Sequence, residues 1–143
     1  MKKILIINGA NLNLLGTREQ SIYGNKTISD LEKLCAEKAK TYQHEIIFFQ
    51  SNSEGEIINK IHEAYNSGIN KLIINAGAYT HTSIAIMDCL LACNMNSIEV
   101  HISNIYKRED FRHKSYISKV VIGVICGLGL DGYLYAIETH CKN

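Results

Sequence analysis

The sequence predicts an α/β fold, a doubly wound parallel sheet, and two observations carry that prediction. Apolar runs rich in β-branched residues recur along the chain as KKILIIN, EIIFFQS, KLIINAG, SIEVHIS and KVVIGVICG. Segments of helical periodicity separate them. The runs are near-continuous rather than alternating, as expected of strands covered on both faces by crossover helices.

Taken in order, KKILIIN is the first strand. Ile28, Leu31, Leu34, Cys35 and Tyr42 then fall on one face of a first helix. After the second strand, EIIFFQS, the residues Ser53 and Glu56 have the spacing of a capping box. Behind them Ile57, Ile61, Ala64 and Tyr65 line a second helix. KLIINAG is the third strand, and residues 82–95 form a third helix in which Asp88 is the only charge. A surface helix should keep a polar face. This one is either deeply sandwiched or part of a subunit interface, and in so small a domain the interface is the favoured reading. SIEVHIS and KVVIGVICG supply the last strands. Leu130, Leu134, Ile137 and Cys141 line the final helix.

The 143 residues suit a single domain over 1–143, large enough for a core without staples. A net charge of +1 leaves no electrostatic footprint for nucleic acid or an acidic membrane. No apolar run approaches the roughly 18 residues of a membrane span, and the run after Lys2 and Lys3 is too short for a secretory core. The 5 cysteines form no CxxC and no zinc-like Cys–His spacing. Cys89 and Cys93 have the spacing to share a helix face, but small apolar packing is the better reading, and the cysteine usage fits a reducing, cytoplasmic setting.

Ligands of open α/β sheets bind beyond the carboxyl ends of the strands. Here those ends carry the polar residues: Asn8 and the loop NGANLNLLGTREQSIYG, Asn75 followed by GAYTHTS, and His101 followed by ISN and YKREDFRHK. Glu99 and His101 lie two apart on a strand and project from the same face. A carboxylate there orients the imidazole and keeps it protonated, which suits a general acid. Arg18 and Tyr23 share the opening loop. A free tyrosine titrates near about 10, and an adjacent guanidinium lowers that value, so the pair reads as a base with its activator. From spacing alone, Arg18 equally fits an anion site and Tyr23 a loop anchor. CGLGLDGY contains a GxGxxG, but it follows the last strand and no βαβ unit can be completed after it; a tight turn into the helix is the better reading.

Together, NGANLNLLGTREQSIYG, FFQSNSEGEIINKI, INAGAYTHTSIAIMD, IEVHISNIYKREDFRHKS and GLGLDGY resemble the type II 3-dehydroquinate dehydratases, in order and over nearly the whole chain. The resemblance implies a flavodoxin-like three-layer sandwich with a five-stranded parallel sheet. It implies dehydration of 3-dehydroquinate to 3-dehydroshikimate, in the shikimate pathway to chorismate and the aromatic amino acids. It also implies no metal, no cofactor and no Schiff base, and a homododecamer built as four trimers.

By matching motif position, Tyr23 is similar to the base that removes the proton beside the ketone, and Arg18 to the group that holds it as phenolate. Asn11 matches the residue that stabilises the enolate through a bound water. His101 matches the acid on the departing C1 hydroxyl, with Glu99 behind it. Ser103 and the backbone N–H groups of Ile102 and Ser103 would take the substrate carboxylate. Asn75, His81 and Arg112 would hold the ring hydroxyls, and Asp88 would arrive from a neighbouring subunit. Ala10 and Gln20 stand where the family commonly has proline, which predicts a looser opening loop. Met87 stands where an arginine is common. An alternative of the same fold, a module binding FMN or a phosphate, wants a glycine-rich phosphate loop after the first strand, which NGANLNLLG is not.

Overall fold

The computed structural model describes residues 2–17, 21 and 24–143. Arg18, Gln20 and Tyr23 lie outside the described residues. The strands are β1 (Lys2–Asn8), β2 (His44–Gln50), β3 (Lys71–Asn75), β4 (Asn96–His101) and β5 (Gly123–Cys126). The long helices are α1 (Ile28–Lys40), α2 (Glu54–Asn66), α3 (Ile84–Ala92) and α4 (Asp131–Lys142). The strands form one sheet in the order β2-β1-β3-β4-β5 with every pair parallel. This is the flavodoxin-like arrangement.

The two faces of the sheet divide the core. Ile4, Ile6, Ile73, Ile98 and Val100 pack against α1 and α4 through Leu31, Cys35, Tyr133 and Ile137. Leu5, Ile7, Leu72 and Ile74 pack against α2 and α3 through Ile57, Ile61, Ile86 and Leu90. Alternate residues of the same strand therefore enter opposite clusters, which explains the unbroken apolar runs.

Three elements differ from the sequence expectation. The run KVVIGVICG is a strand only over Gly123–Cys126. Ile117–Val120 forms a 3-10 turn, with Ile117 buried and Val120 and Val121 packed against the α2–α3 cluster. At Ser53, only half of the capping box forms. Its hydroxyl accepts the Glu56 N–H at 3.2 Å, but the Glu56 carboxylate accepts from the Ser51 hydroxyl at 2.5 Å instead of reaching back. The complete box belongs to α1. There the Thr27 hydroxyl accepts the Asp30 N–H at 3.2 Å and the Asp30 carboxylate accepts the Thr27 N–H at 2.9 Å. Lastly, α3 is shorter than the stretch 82–95. Ser83 caps its start and Cys93 closes its end.

The site depends on the junction between β1 and β3. The Gly9 N–H donates to the Asn75 carbonyl at 2.8 Å. A Cβ on Gly9 would lie 2.2 Å from the Ala76 carbonyl oxygen, and one on Gly77, at φ +61°, would lie 2.9 Å from that of Ala10. Only glycine permits two strand exits to run this close together.

The Thr27 cap yields a stability prediction. Thr27→Ala removes an acceptor from the first turn of α1 and should cost about 1 kcal/mol. Urea unfolding should show a lower midpoint with an unchanged slope; an unchanged midpoint would show that the cap contributes nothing.

Candidate active site

Beyond the ends of β1, β3 and β4 lies a cavity of about 150 Å³. Its position follows from the topology. From β1 the chain crosses to β2 on one side, then returns to β3 on the other, so the loops after β1 and β3 part at the sheet edge. Of the residues predicted from sequence, Asn11, Asn75, His81, His101, Ile102, Ser103 and Arg112 line this cavity together. Glu99 stands behind His101 and is 1% exposed. Asp88 does not join them; it is exposed on α3. Arg18 and Tyr23 fall outside the described residues.

His101 and Glu99 form a buried pair, with His101 Nε2 bonded to Glu99 Oε2. The carboxylate has further donors. The Ser118 hydroxyl reaches Oε1 at 2.6 Å, and the Ser115 hydroxyl sits 3.2 and 3.1 Å from the two oxygens. Burial is the largest single influence on this carboxyl and opposes its ionisation. The bonds from His101, Ser118 and Ser115 together outweigh burial, so the group sits below the usual glutamic acid value. An ionised Glu99 only accepts, so it fixes His101 Nε2 as the donor and leaves Nδ1 as the ring nitrogen for the cavity.

His81 stacks beside this pair, its ring centroid 6.4 Å from that of His101 and the planes 17° apart. Its Nδ1 lies 2.7 Å from the Lys114 carbonyl, which can only accept. Burial, aided by nearby His101 and Arg112, outweighs that bond and holds His81 below the ordinary imidazole value. The neutral ring therefore offers Nε2 as an acceptor. Asn75 is fixed from behind. Its amide donates to the Tyr133 hydroxyl at 2.8 Å, and that hydroxyl donates to Asn8 Oδ1 at 2.6 Å. Full burial pushes the Tyr133 phenol up, so it stays protonated in this relay. Asn11 takes a left-handed φ of 70° and donates its N–H to Asn52 Oδ1 at 2.8 Å.

The glycine motif expected to be a tight turn is one, and it bears on the site. Gly127, at φ +86°, donates its N–H to the His101 carbonyl at 3.1 Å; Gly129, at φ +64°, donates to the Ile102 carbonyl at 3.1 Å. In a trans peptide the C=O and the following N–H point oppositely. With both carbonyls turned toward Gly127 and Gly129, the N–H groups of Ile102 and Ser103 point the other way. Among the described residues neither N–H has a protein partner.

Arg108 also lines the cavity, and sequence reasoning misses it. Its Nη1 donates to the Ser103 hydroxyl at 3.4 Å. The stretch YKREDFRHK offers several cations, and nothing in its spacing marks Arg108 over Lys107. Arg112 is positioned by Glu109, 3.2 Å away. Among the described residues, no carboxylate lines the cavity. Two guanidinium groups, two outward N–H groups and a serine hydroxyl give it a donor-rich lining that suits a small anion. The oriented His101 adds a proton-transfer group.

Residues 2–141 match the family model described as dehydroquinase class II. The chain is 53% identical over 138 residues to a catabolic 3-dehydroquinase of Debaryomyces hansenii, covering 96% of each. It is 56% identical over 139 residues to a 3-dehydroquinate dehydratase of Buchnera aphidicola, covering 97% of this chain and 90% of that one. Among solved structures, a type II dehydroquinase from Butyrivibrio crossotus superimposes with a TM-score of 0.96 at 48% identity, over 99% of this chain and 98% of the other.

The Glu99 environment predicts a pH dependence. Its folded pKa is lowered, so its stabilisation is full above the unfolded value of about 4.3 and is lost as pH falls through the folded value. The difference in urea midpoint between the wild type and Glu99→Gln should hold steady near neutral pH and shrink below about pH 4. A difference that grows on acidification would contradict the ionised carboxylate.

Proposed function

The chain belongs to the dehydroquinase class II family, and from that membership we propose how it converts 3-dehydroquinate to 3-dehydroshikimate. The overall reaction, a carbon–oxygen lyase step of the shikimate pathway, goes with the family. The observation that carries the mechanism is the buried Glu99–His101 pair facing a cationic cavity whose described lining holds no carboxylate.

The substrate carboxylate sits against the Ser103 hydroxyl and the outward N–H groups of Ile102 and Ser103, with Arg108 alongside. The ring hydroxyls engage Asn75, His81 and Arg112. Tyr23, held as phenolate by Arg18, takes the proton from the carbon beside the ketone, and the electron pair passes into an enolate. Asn11 stabilises the enolate oxygen through a bound water. As the enolate collapses, the C1–O bond breaks, and His101 delivers a proton to the departing hydroxyl, which leaves as water. Glu99 orients the ring and balances its charge. The scheme uses no metal, no cofactor and no imine. Each acid or base step accounts for about 10² to 10⁴ in rate.

Assembly follows from α3. Ile84 is 52% and Leu91 68% exposed, and they share the outer face with Ala85, Asp88 and Ala92. That apolar face with one central carboxylate fits a subunit contact in a homododecamer of four trimers, in which Asp88 of the partner subunit completes the site. The enzyme works in the cytoplasm, where its 5 free cysteines stay reduced. No helix among the described residues is long and apolar enough to cross a membrane.

The test is the rise in ultraviolet absorbance as the conjugated enone carboxylate forms from 3-dehydroquinate, with and without borohydride pretreatment. Turnover unaffected by borohydride is expected; loss of turnover would mean an imine. Tyr23→Phe should retain the fold and lose at least about 10² in turnover. Near-normal turnover would remove Tyr23 from its role. Asp88→Lys should shift the size-exclusion volume toward smaller species, and an unchanged volume would argue against the interface.

A further inference from the structure

Away from the cavity, the pairing of α2 with α3 brings together three side chains that the dehydration does not use. His62 projects from α2, Cys89 from α3, and Cys93 from the residue that closes α3. One donor atom from each lies within 4.8 Å of the other two. The geometry follows from the helix end. Cys93 donates its N–H to the Cys89 carbonyl at 3.0 Å, which continues the helical turn and sets both thiols on one face. That face packs on α2, where the Cys89 thiol lies 3.9 Å from the Ile58 carbonyl, one turn before His62. Cys89 and Cys93 are buried, and His62 is exposed.

We propose that His62, Cys89 and Cys93 form a binding site for a thiophilic d10 cation of the zinc class, joining α2 to α3. Two sulfurs and one imidazole are the donors such a cation prefers, and hard cations such as magnesium or calcium would not take them. Around a tetrahedral zinc, bonds of about 2.3 Å to sulfur and 2.0 Å to nitrogen place the donors about 3.5 to 3.8 Å apart. The trio must close by only about 1 Å from its present spread, and His62, exposed where both cysteines are buried, is the side chain with room to move. A water takes the fourth position, on the exposed side. The negative end of α3 lies at Cys93, where a cation is favoured.

Binding breaks two S–H bonds and forms two metal–sulfur bonds. Two protons pass to solvent and no electrons move. The site is independent of the dehydration chemistry, because none of its residues touches the cavity.

Cobalt(II) is the probe, added to the reduced full-length protein. The expected result is a thiolate-to-cobalt charge-transfer band in the near ultraviolet with the visible bands of tetrahedral cobalt, titrating at one equivalent per chain. His62→Ala, an exposed substitution that leaves the fold intact, should weaken cobalt binding at least tenfold. Cys93→Ala should remove the charge-transfer band. Zinc should raise the melting temperature of the wild type but not of His62→Ala, and dehydratase turnover should be the same for both proteins. Absence of the band in the wild type, or cobalt affinity unchanged in His62→Ala, would overturn the site whatever the behaviour of the cysteine variant.

Discussion

The fold and the chemistry of this protein meet at one buried carboxylate. Glu99 is buried in β4 between the apolar Ile98 and Val100, where an unpaired charge would cost several kcal/mol or more. It is stable there because His101, Ser115 and Ser118 all bond to it. That requirement organises the long connection between β4 and β5. Ser115 and Ser118 must return to the strand they left, and the Ser118 N–H donates to the Ser115 hydroxyl at 3.0 Å to hold the turn. On the way, Tyr116 bonds through its N–H to the Thr80 carbonyl, and the Lys114 carbonyl accepts from His81. The same connection places Arg108 and Arg112 over the cavity. Satisfying one buried charge thus assembles one side of the cavity wall, and the loops after β1 and β3 supply the other.

A second constraint works from the opposite side. The carbonyls at the end of β4 are held on the β5 side, because the Gly127 and Gly129 N–H groups donate to those of His101 and Ile102. This fixes the direction of the next two N–H groups. A motif that looks like a nucleotide fingerprint serves here to orient the Ile102 and Ser103 peptide units at the cavity. Gly132 has a third role in it. A Cβ there would meet Ile125 and Val100 at 3.2 and 3.3 Å, so the glycine lets α4 lie close on the sheet.

Legibility in the sequence tracks how local each interaction is. The strands are readable because alternate residues enter opposite apolar clusters, and the Glu99–His101 pair because strand pleating alone sets its geometry. β5 reads too long in the sequence because Val120 and Val121 are apolar for packing against the α2–α3 cluster, not for pairing. The Ser53–Glu56 spacing suggests a full box, but Ser51 competes for the carboxylate. The Thr27–Asp30 box escapes the same pattern because aspartate stands where glutamate is sought. Arg108, Ser115 and Ser118 are invisible as site residues, since only the folded connection returns them to β4. The His62, Cys89 and Cys93 cluster spans two helices, and no spacing rule within one segment can find it.

The central claim is that the Glu99 charge makes His101 the proton donor, and steady-state turnover of Glu99→Gln tests it most directly. The amide of this variant keeps the shape and one acceptor oxygen for the hydroxyls but leaves the ring without an anionic partner. If the account is right, kcat falls by about 10² or more while KM for 3-dehydroquinate changes little, because Glu99 stands behind the cavity and not in it. A kcat within a few fold of the wild type would mean that His101 donates its proton without the carboxylate, and the central role assigned to the pair would be wrong.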